Sequence, residues 1–252
     1  MNEFRFPTEV IDLPSKGLIY PESSPLSSGT IELKYMSAKE EDILTNQNFI
    51  EKGIVIDKLL QSMIVTKCDY NDLIVGDKNA ILVAARILGF GAEYPVEITD
   101  KYGKKIPVTV NLSELKNKEI NESLFVKGKN EFNFTLPQSK VTVTFKLLNA
   151  SDETKIDNEV KGLKKAYPND SFDITTRLKH TIIAVNGDSR DENIRYFVDN
   201  MMLTDSRALR KYINEIMPDL IMEFSYEDSK GDIVEGVSMP MNINFLYPDA
   251  QL

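Results

Sequence analysis

The sequence predicts an α+β protein made of two similar tandem units, each with one strand, about three helices and a β-hairpin. Three observations predict this fold class. Stretches whose apolar residues recur at helical spacing stand between stretches in which apolar and polar residues alternate. The order of these elements in the first half of the chain recurs in the second half. Apolar residues make up 42% of the 252 residues, which suffices for a buried core.

Residues 1–30 are predicted to form an extended N-terminal arm and a loop. The stretch VIDLPSKGLIYP, at 10–21, places a proline-containing turn between two apolar patches. The following residues, at 20–29, are rich in Ser and Pro and predict an exposed loop. Two alternatives stay open for the arm: it lies against a neighbouring protein, or it packs on its own domain as an edge strand.

Residues 31–125 are predicted to form the first α+β unit. Its predicted elements are a strand at 30–36, helices at 38–46, 55–65 and 76–91, and a hairpin at 93–112 with its turn at 100–103. Ser37 and Glu40 fit a capping box at the first helix, and Asp77 is the expected cap of the third helix. Gly89 and Gly91 are expected to stop that helix. The apolar run at 80–91 contains Arg86 and is too short for a membrane span, so it predicts a buried helix.

Residues 126–252 are predicted to form the second unit, because three segments of the first half match later segments. The segment 31–42 aligns with 143–154 at an offset of 112, and the segments 77–81 and 100–103 align with 205–209 and 228–231 at an offset of 128. The turn LPSK is echoed by LPQSK at 136–140. The change of offset places an insertion in the second unit. Similar element order without common ancestry is the alternative.

Composition argues against several classes of partner and compartment. The chain has 39 acidic and 30 basic residues, a formal net charge of −9, which repels a polyanion, so no nucleic acid partner is expected. Cys68 is the one cysteine, so neither an intrachain disulfide nor a thiolate zinc cage can form. A soluble protein of the reducing cytosol is expected, since the sequence begins without a secretory signal pattern.

No catalytic, cofactor-binding or metal-binding residue is predicted. His180 is the one histidine, and it lacks an evident nucleophile partner. Cys68 is expected to be a structural thiol. The segment NGDSRDEN, at 186–193, lacks the spacing of a calcium loop. LPSKG reverses the order of a phosphate loop, and no helix is expected directly after it.

Four blocks of the first half carry a resemblance to a known family. They are LPSKGLIYP, IELKYMSAKEEDIL, KGIVIDKLLQSMI and GDKNAILVAARILGFGAEYPVEI, in this order. Together they resemble the baseplate protein family of T4-like contractile-tailed bacteriophages, whose members are described as baseplate hub subunits or hub assembly proteins. The resemblance implies a virion component without catalytic activity that is made in the cytoplasm of the infected cell. Its expected partners are other baseplate proteins and further copies of itself in a symmetric assembly, with neither nucleic acid nor a membrane.

Two hypotheses about the function follow from the resemblance, and a third assigns the protein to the enzymes. The protein is a structural baseplate component at the hub, or it is a hub assembly factor absent from the mature virion. The less favoured third reading is a small-molecule or nucleotide-dependent enzyme, which predicts a concave pocket with converging polar groups. The candidate partner-binding residues are Phe4, Phe6, Ile11, Leu13, Pro14, Ile19 and Tyr20 in the arm, and Phe245, Leu246 and Tyr247 near the C-terminus.

Overall fold

A computed structural model describes residues 7–240 and 243–247 of the chain. It confirms the α+β class, because helices and several small antiparallel sheets alternate along the chain. In chain order the strands and helices are β1 (Thr8–Asp12), β2 (Thr30–Lys34), α1 (Ala38–Leu44), α2 (Gln47–Glu51), α3 (Val55–Met63), α4 (Val75–Phe90), β3 (Glu93–Thr99), β4 (Lys105–Asn111), β5 (Phe132–Thr135), β6 (Thr142–Phe145), α5 (Ala150–Ala166), α6 (Asp173–Thr181), β7 (Ile182–Val185), α7 (Asp191–Asp199), α8 (Leu203–Ile216), β8 (Glu223–Glu227), β9 (Ile233–Ser238) and α9 (Ile243–Leu246).

The strands form four small sheets. The sheet orders are β1-β2, β3-β4, β5-β6-β7 and β8-β9, and every pairing is antiparallel. β1 pairs with β2 from Thr8 opposite Lys34 to Asp12 opposite Thr30. The arm therefore packs on its own domain from residue 8 onward, which is one of the two alternatives that the sequence left open.

The loop at 20–29, which follows the LPSK turn, is less exposed than the sequence predicts. Residues Pro25–Ser28 form a 3₁₀ turn, and the side chain of Leu26 is fully buried. Ser24 caps this turn by accepting a hydrogen bond from the Leu26 amide. The prediction of an exposed loop at 20–29 is wrong at Leu26, because one apolar side chain suffices to fix a Ser- and Pro-rich loop to the core.

The helices of the first half begin and end mostly where the sequence predicts. The capping box of Ser37 and Glu40 is present at α1. α4 begins at Val75, and Ile74 occupies its N-cap position, so the prediction that Asp77 caps this helix is wrong. Gly91 ends the helix with a φ of 83°. Gly89 lies inside the helix, where the side chain of Met36 packs against it.

The second half contains contacts of the same kind as the first. Asn149 and Asp152 form a capping box at α5, like Ser37 and Glu40 at α1. β7 and α7 lie between α6 and α8, in the region where the sequence predicts an insertion. The division into an arm and two tandem units stays a prediction.

Buried apolar side chains from both halves form one cluster. Backbone hydrogen bonds also join the halves, because the Val75 amide donates to Leu148 O at 3.1 Å and the Ala150 amide donates to Leu73 O at 2.9 Å. Gly76 leaves room for the carbonyl of Pro218, with which any Cβ at this position would overlap. No helix among the described residues is long and apolar enough to cross a bilayer.

Candidate functional site

The LPSKG turn is attached to α4 by a buried polar cluster around Asp77. Lys16 and Gly17 both have positive φ, 51° and 73°, which turns the chain sharply after Ser15. The Ser15 amide donates to Asp77 Oδ1 at 2.9 Å, and the Ser15 hydroxyl donates to Oδ2 at 2.6 Å. The Tyr20 hydroxyl also donates to Oδ2 at 2.6 Å. The turn is therefore held from both of its ends by one carboxylate of a helix.

The Asp77 cluster is closed off from solvent. Asp77 and Ser15 are fully buried, and the Tyr20 hydroxyl accepts a further hydrogen bond from the Ile74 amide at 3.1 Å. Burial raises the pKa of Asp77, and the hydrogen bonds from Ser15 and Tyr20 oppose that shift. Burial likewise raises the pKa of Tyr20, and the charge of Asp77 adds to the rise. This geometry fits a structural clamp.

A second carboxylate holds the LPQSK turn in the same manner. The amides of Gln138 and Ser139 donate to the two oxygens of Asp205 at 2.8 and 3.0 Å. Lys140, like Lys16, has a positive φ, here 60°. Burial opposes ionisation of Asp205, but the hydrogen bonds from Ser139 and Gln138 lower its pKa below the usual value. Both predicted turns are thus clamped by an aspartate in the first turn of a later helix, α4 in the first half and α8 in the second.

Most of the predicted contact residues of the arm are buried within the chain. Leu13, Pro14, Ile19 and Tyr20 lie in the interior, and Ile11 is half-buried. Phe4 and Phe6 lie outside the described residues. The buried side chains already have their contacts in the chain's own core, so they are not surface anchors in this structure.

The C-terminal contact residues also pack on the chain itself. Phe245 and Leu246 of α9 are buried. The ring of Phe245 meets the ring of Tyr94 edge to face, with 4.9 Å between centroids, and the Tyr94 hydroxyl donates to Pro240 O at 3.0 Å. Tyr247 is half-buried. The structure thus places Phe245 and Leu246 in the interior, where the sequence analysis expected an exposed contact.

The two predicted hairpin turns meet each other. The Ser229 amide donates to Asp100 Oδ2 at 3.2 Å, and Lys101 Nζ lies 3.2 Å from Asp228 Oδ2. Each aspartate also accepts amide hydrogen bonds within its own turn, which shapes both hairpin ends alike. The turn-to-turn contact joins the two halves at the ends of β3 and β8.

The side chains with the most reactive chemistry have ordinary structural surroundings. His180 Nε2 lies 2.9 Å from Glu159 Oε2, and a hydrogen bond from His180 lowers the pKa of that carboxyl. Burial raises the pKa of the Cys68 thiol, which makes the thiolate scarcer. Among the described residues, no group of three or more His, Cys, Asp or Glu is arranged to hold a metal ion.

An open groove of about 310 Å³ lies in the second half, between the start of α5, α6 and the C-terminal part of α8. We call it the α6–α8 groove. Its volume is at the lower end of the range for ligand pockets. Its apolar lining is formed by Leu147, Leu148, Ile174, Leu178, Ile213 and Met217 of the second half and by Val75 at the start of α4.

Most charged groups around the α6–α8 groove are paired with each other. Arg177 binds Glu153 through two hydrogen bonds of 2.6 and 2.9 Å. Lys146 Nζ lies 2.7 Å from Asp152. Arg210 differs, because within the described part of the chain only its Nε donates, to Ser206 O at 3.3 Å. The groove therefore combines apolar walls with one guanidinium group that has spare donors.

Three strongly exposed apolar side chains lie close together in the sequence, on α7 and at the start of α8. Tyr196, Met202 and Leu203 are between 52% and 72% exposed. We call these three residues the α7–α8 patch. Exposed apolar side chains that form a contiguous surface commonly mark contacts with other proteins. Neither this patch nor the α6–α8 groove was found from the sequence, although MML at 201–203, next to helix start signals, is the one local signal that could have indicated the patch.

The fold and its exposed apolar surfaces define an α+β protein suited to contacts with other proteins. A family model described as T4 bacteriophage base plate protein matches residues 11–236, which is most of the chain. The chain belongs to this family, as its sequence blocks predict, and the membership indicates a component of the phage tail. No curated protein and no solved structure gives a significant match.

Proposed function

We propose that the protein is a non-enzymatic structural component of a contractile phage tail baseplate, located at the hub and acting through contacts with other proteins. The family match over residues 11–236 is the observation that carries this proposal. The partners are other baseplate and hub proteins, and further copies of the chain where the assembly is symmetric. Neither nucleic acid nor a membrane is a partner, in keeping with the net charge of −9. The protein folds in the host cytoplasm and then enters the particle.

The chemistry of the described residues supports a binding role. The buried aspartates Asp77 and Asp205 accept hydrogen bonds from turns and so stabilise the fold. Of the carboxylates near the α6–α8 groove, Glu153 pairs with Arg177, Asp152 pairs with Lys146 and Asp173 pairs with Lys164. Such pairing leaves them poorly placed for acid and base catalysis, which needs a group free to exchange a proton with a substrate.

The exposed α7–α8 patch is the contact surface that we propose for a baseplate partner. Of the residues predicted from the sequence, Ile11 and Tyr247 are half-buried and stay candidates for a separate contact. Phe4 and Phe6 stay candidates on the basis of the sequence. Leu13, Ile19 and Phe245 are buried in the core, so they contribute to the fold and are not part of this contact.

The amount of the protein in purified virions tests the structural role. A baseplate subunit is expected at a fixed stoichiometry relative to the other tail proteins, and quantitative mass spectrometry measures it. Near absence from virions that assemble normally would instead support the hub assembly factor. A cryo-EM reconstruction of the baseplate tests the location, with density on the tail axis expected for a hub component.

Surface variants test the α7–α8 patch. Tyr196→Asp with Leu203→Asp is expected to reduce incorporation about tenfold or more, since it places charges in an apolar contact. Ile233→Asp is the matched control, because Ile233 is equally exposed but lies on β9. Complementation of a phage that lacks the gene measures incorporation. Equal incorporation of the patch variant and the control would remove the patch as a contact.

A further inference from the structure

The two halves repeat a set of contacts at constant offsets. Lys34 pairs with Glu40 at 2.7 Å, and at an offset of 112 Lys146 pairs with Asp152 at 2.7 Å. At an offset of 128, Asp77 and Asp205 each clamp a turn. Equivalent positions of the two halves can therefore be compared directly, whether or not the halves share an ancestor.

The α6–α8 groove has a counterpart in the first half. Adding 112 to Met36 and Glu41 gives Leu148 and Glu153, and adding 128 to Gly89 gives Met217, all three of which line the α6–α8 groove. In the first half the same positions line a smaller cavity of about 230 Å³. The two cavities thus lie at equivalent places.

The chain's own C-terminal segment packs beside the first-half cavity. Tyr247 contributes to its wall, while Phe245 and Leu246 just before it are buried against the core, with Phe245 on Tyr94 next to the end of α4. α9 also contacts α4 directly. A short helical turn with adjacent aromatic and leucine side chains therefore closes this part of the first half.

The segment that follows the first hairpin does not place a comparable helical turn against the second half. It contains Lys116, Asn117 and Lys118, and it pairs with residues 219–221 beyond the end of α8. Lys118 Nζ donates to the carbonyls of Asn214 and Met217, which satisfies the C-terminal end of α8 at the rim of the groove. This segment places no aromatic side chain over the groove, and Ile174 on the groove wall is 52% exposed.

We propose that the α6–α8 groove binds a short helical segment of another baseplate protein, with adjacent aromatic and leucine side chains followed by an acidic residue. The apolar walls suit the first two side chains, and the spare donors of Arg210 suit the acid. A second copy of the chain is a poorer occupant, because Phe245 and Leu246 are already buried in their own fold. This inference rests on the proposed function only for the source of the partner.

A synthetic peptide with the sequence of residues 241–252, MNINFLYPDAQL, is the probe, because it carries Phe-Leu-Tyr followed by Asp. Fluorescence anisotropy measures its binding to the full-length protein. Saturable binding is expected, and the variant Ile174→Lys is expected to weaken it about tenfold by placing a charge on the apolar wall. Ile233→Lys is the matched control, since Ile233 is 64% exposed and lies on β9, away from the groove. The control is expected to bind like the wild type.

One protein variant and one peptide variant test the charge contact of Arg210 separately from the apolar wall of the groove. Arg210→Glu is expected to weaken binding of the peptide several-fold, and to have little effect on a peptide whose Asp249 is replaced by Asn. Absence of saturable binding, or equal binding by wild type, Ile174→Lys and Arg210→Glu, would overturn the proposal. If either of these results were found while the wild-type protein was present in virions in normal amounts, the groove proposal would be wrong and the structural role would stand. The two proposals can therefore be refuted independently.

Discussion

Replacing Asp77 with Ala is expected to destabilise the fold strongly, because three buried donors lose their acceptor. These donors are the amide and hydroxyl of Ser15 and the hydroxyl of Tyr20, at 2.6–2.9 Å from the carboxylate. A buried donor left without a partner costs about 1–3 kcal/mol. The two hydroxyls can rotate toward other acceptors, which brings the expected total to about 3–6 kcal/mol. That loss is a large part of the roughly 5–15 kcal/mol that stabilises a typical protein.

Asp77→Asn separates the loss of charge from the loss of an acceptor. Its amide oxygen can still accept the Ser15 amide, whereas its NH₂ group faces the Ser15 and Tyr20 hydroxyls. We expect a loss of about 1–3 kcal/mol. Asp12→Ala is the matched control, because Asp12 is exposed on β1 and is expected to change stability by no more than about 0.5 kcal/mol.

Urea unfolding followed by circular dichroism measures these free energies of unfolding. A double-mutant cycle with Tyr20→Phe then isolates the coupling between the Tyr20 hydroxyl and Asp77, for which a magnitude of about 1 kcal/mol or more is expected. If Asp77→Ala unfolded within about 0.5 kcal/mol of the wild type, the clamp would not be what attaches the turn to α4.

Two further predictions concern packing and pH. Gly76→Ala is expected to destabilise the protein by about 2 kcal/mol or more in urea unfolding, because its Cβ would overlap the carbonyl of Pro218. Gly162→Ala, at an open position inside α5, is the control and is expected to stabilise by up to about 1 kcal/mol. Burial opposes ionisation of Glu40, but hydrogen bonds led by that from Lys34 lower its pKa to about 2. The resulting stability is fully present above pH 4.5 and is lost as the pH falls toward about 2. Glu40→Gln should therefore make the free energy of unfolding depend less on pH below pH 4.5. An unchanged pH dependence in this range would contradict the stabilising role of the Glu40 carboxylate.

The predictions from local sequence patterns were mostly accurate. The capping box located α1, helical spacing located α3 and α4, and alternation around Asp100–Gly103 located the first hairpin. These signals depend on contacts within a few residues, so the sequence alone carries them. The blocks of the first half also pointed to the family that matches residues 11–236.

Predictions that depended on distant partners were less accurate. Asp77 in the first turn of α4 suits a helix start electrostatically, but its hydrogen-bond donors lie 57 and 62 residues away, on Tyr20 and Ser15. A carboxylate at such a position looks the same in the sequence whether it caps its own helix or clamps a distant turn.

The sequence by itself therefore determined the α+β class, most elements of the first half, the turn motifs and the family of this protein. The tertiary structure decided which apolar side chains are buried and which are exposed. Leu13, Ile19 and Phe245 resemble surface anchors in the sequence, yet they fill the core, while Met202 and Leu203 are exposed. The physical reason is that burial depends on which elements meet in space, and hydrophobicity alone records only that a side chain prefers some apolar contact.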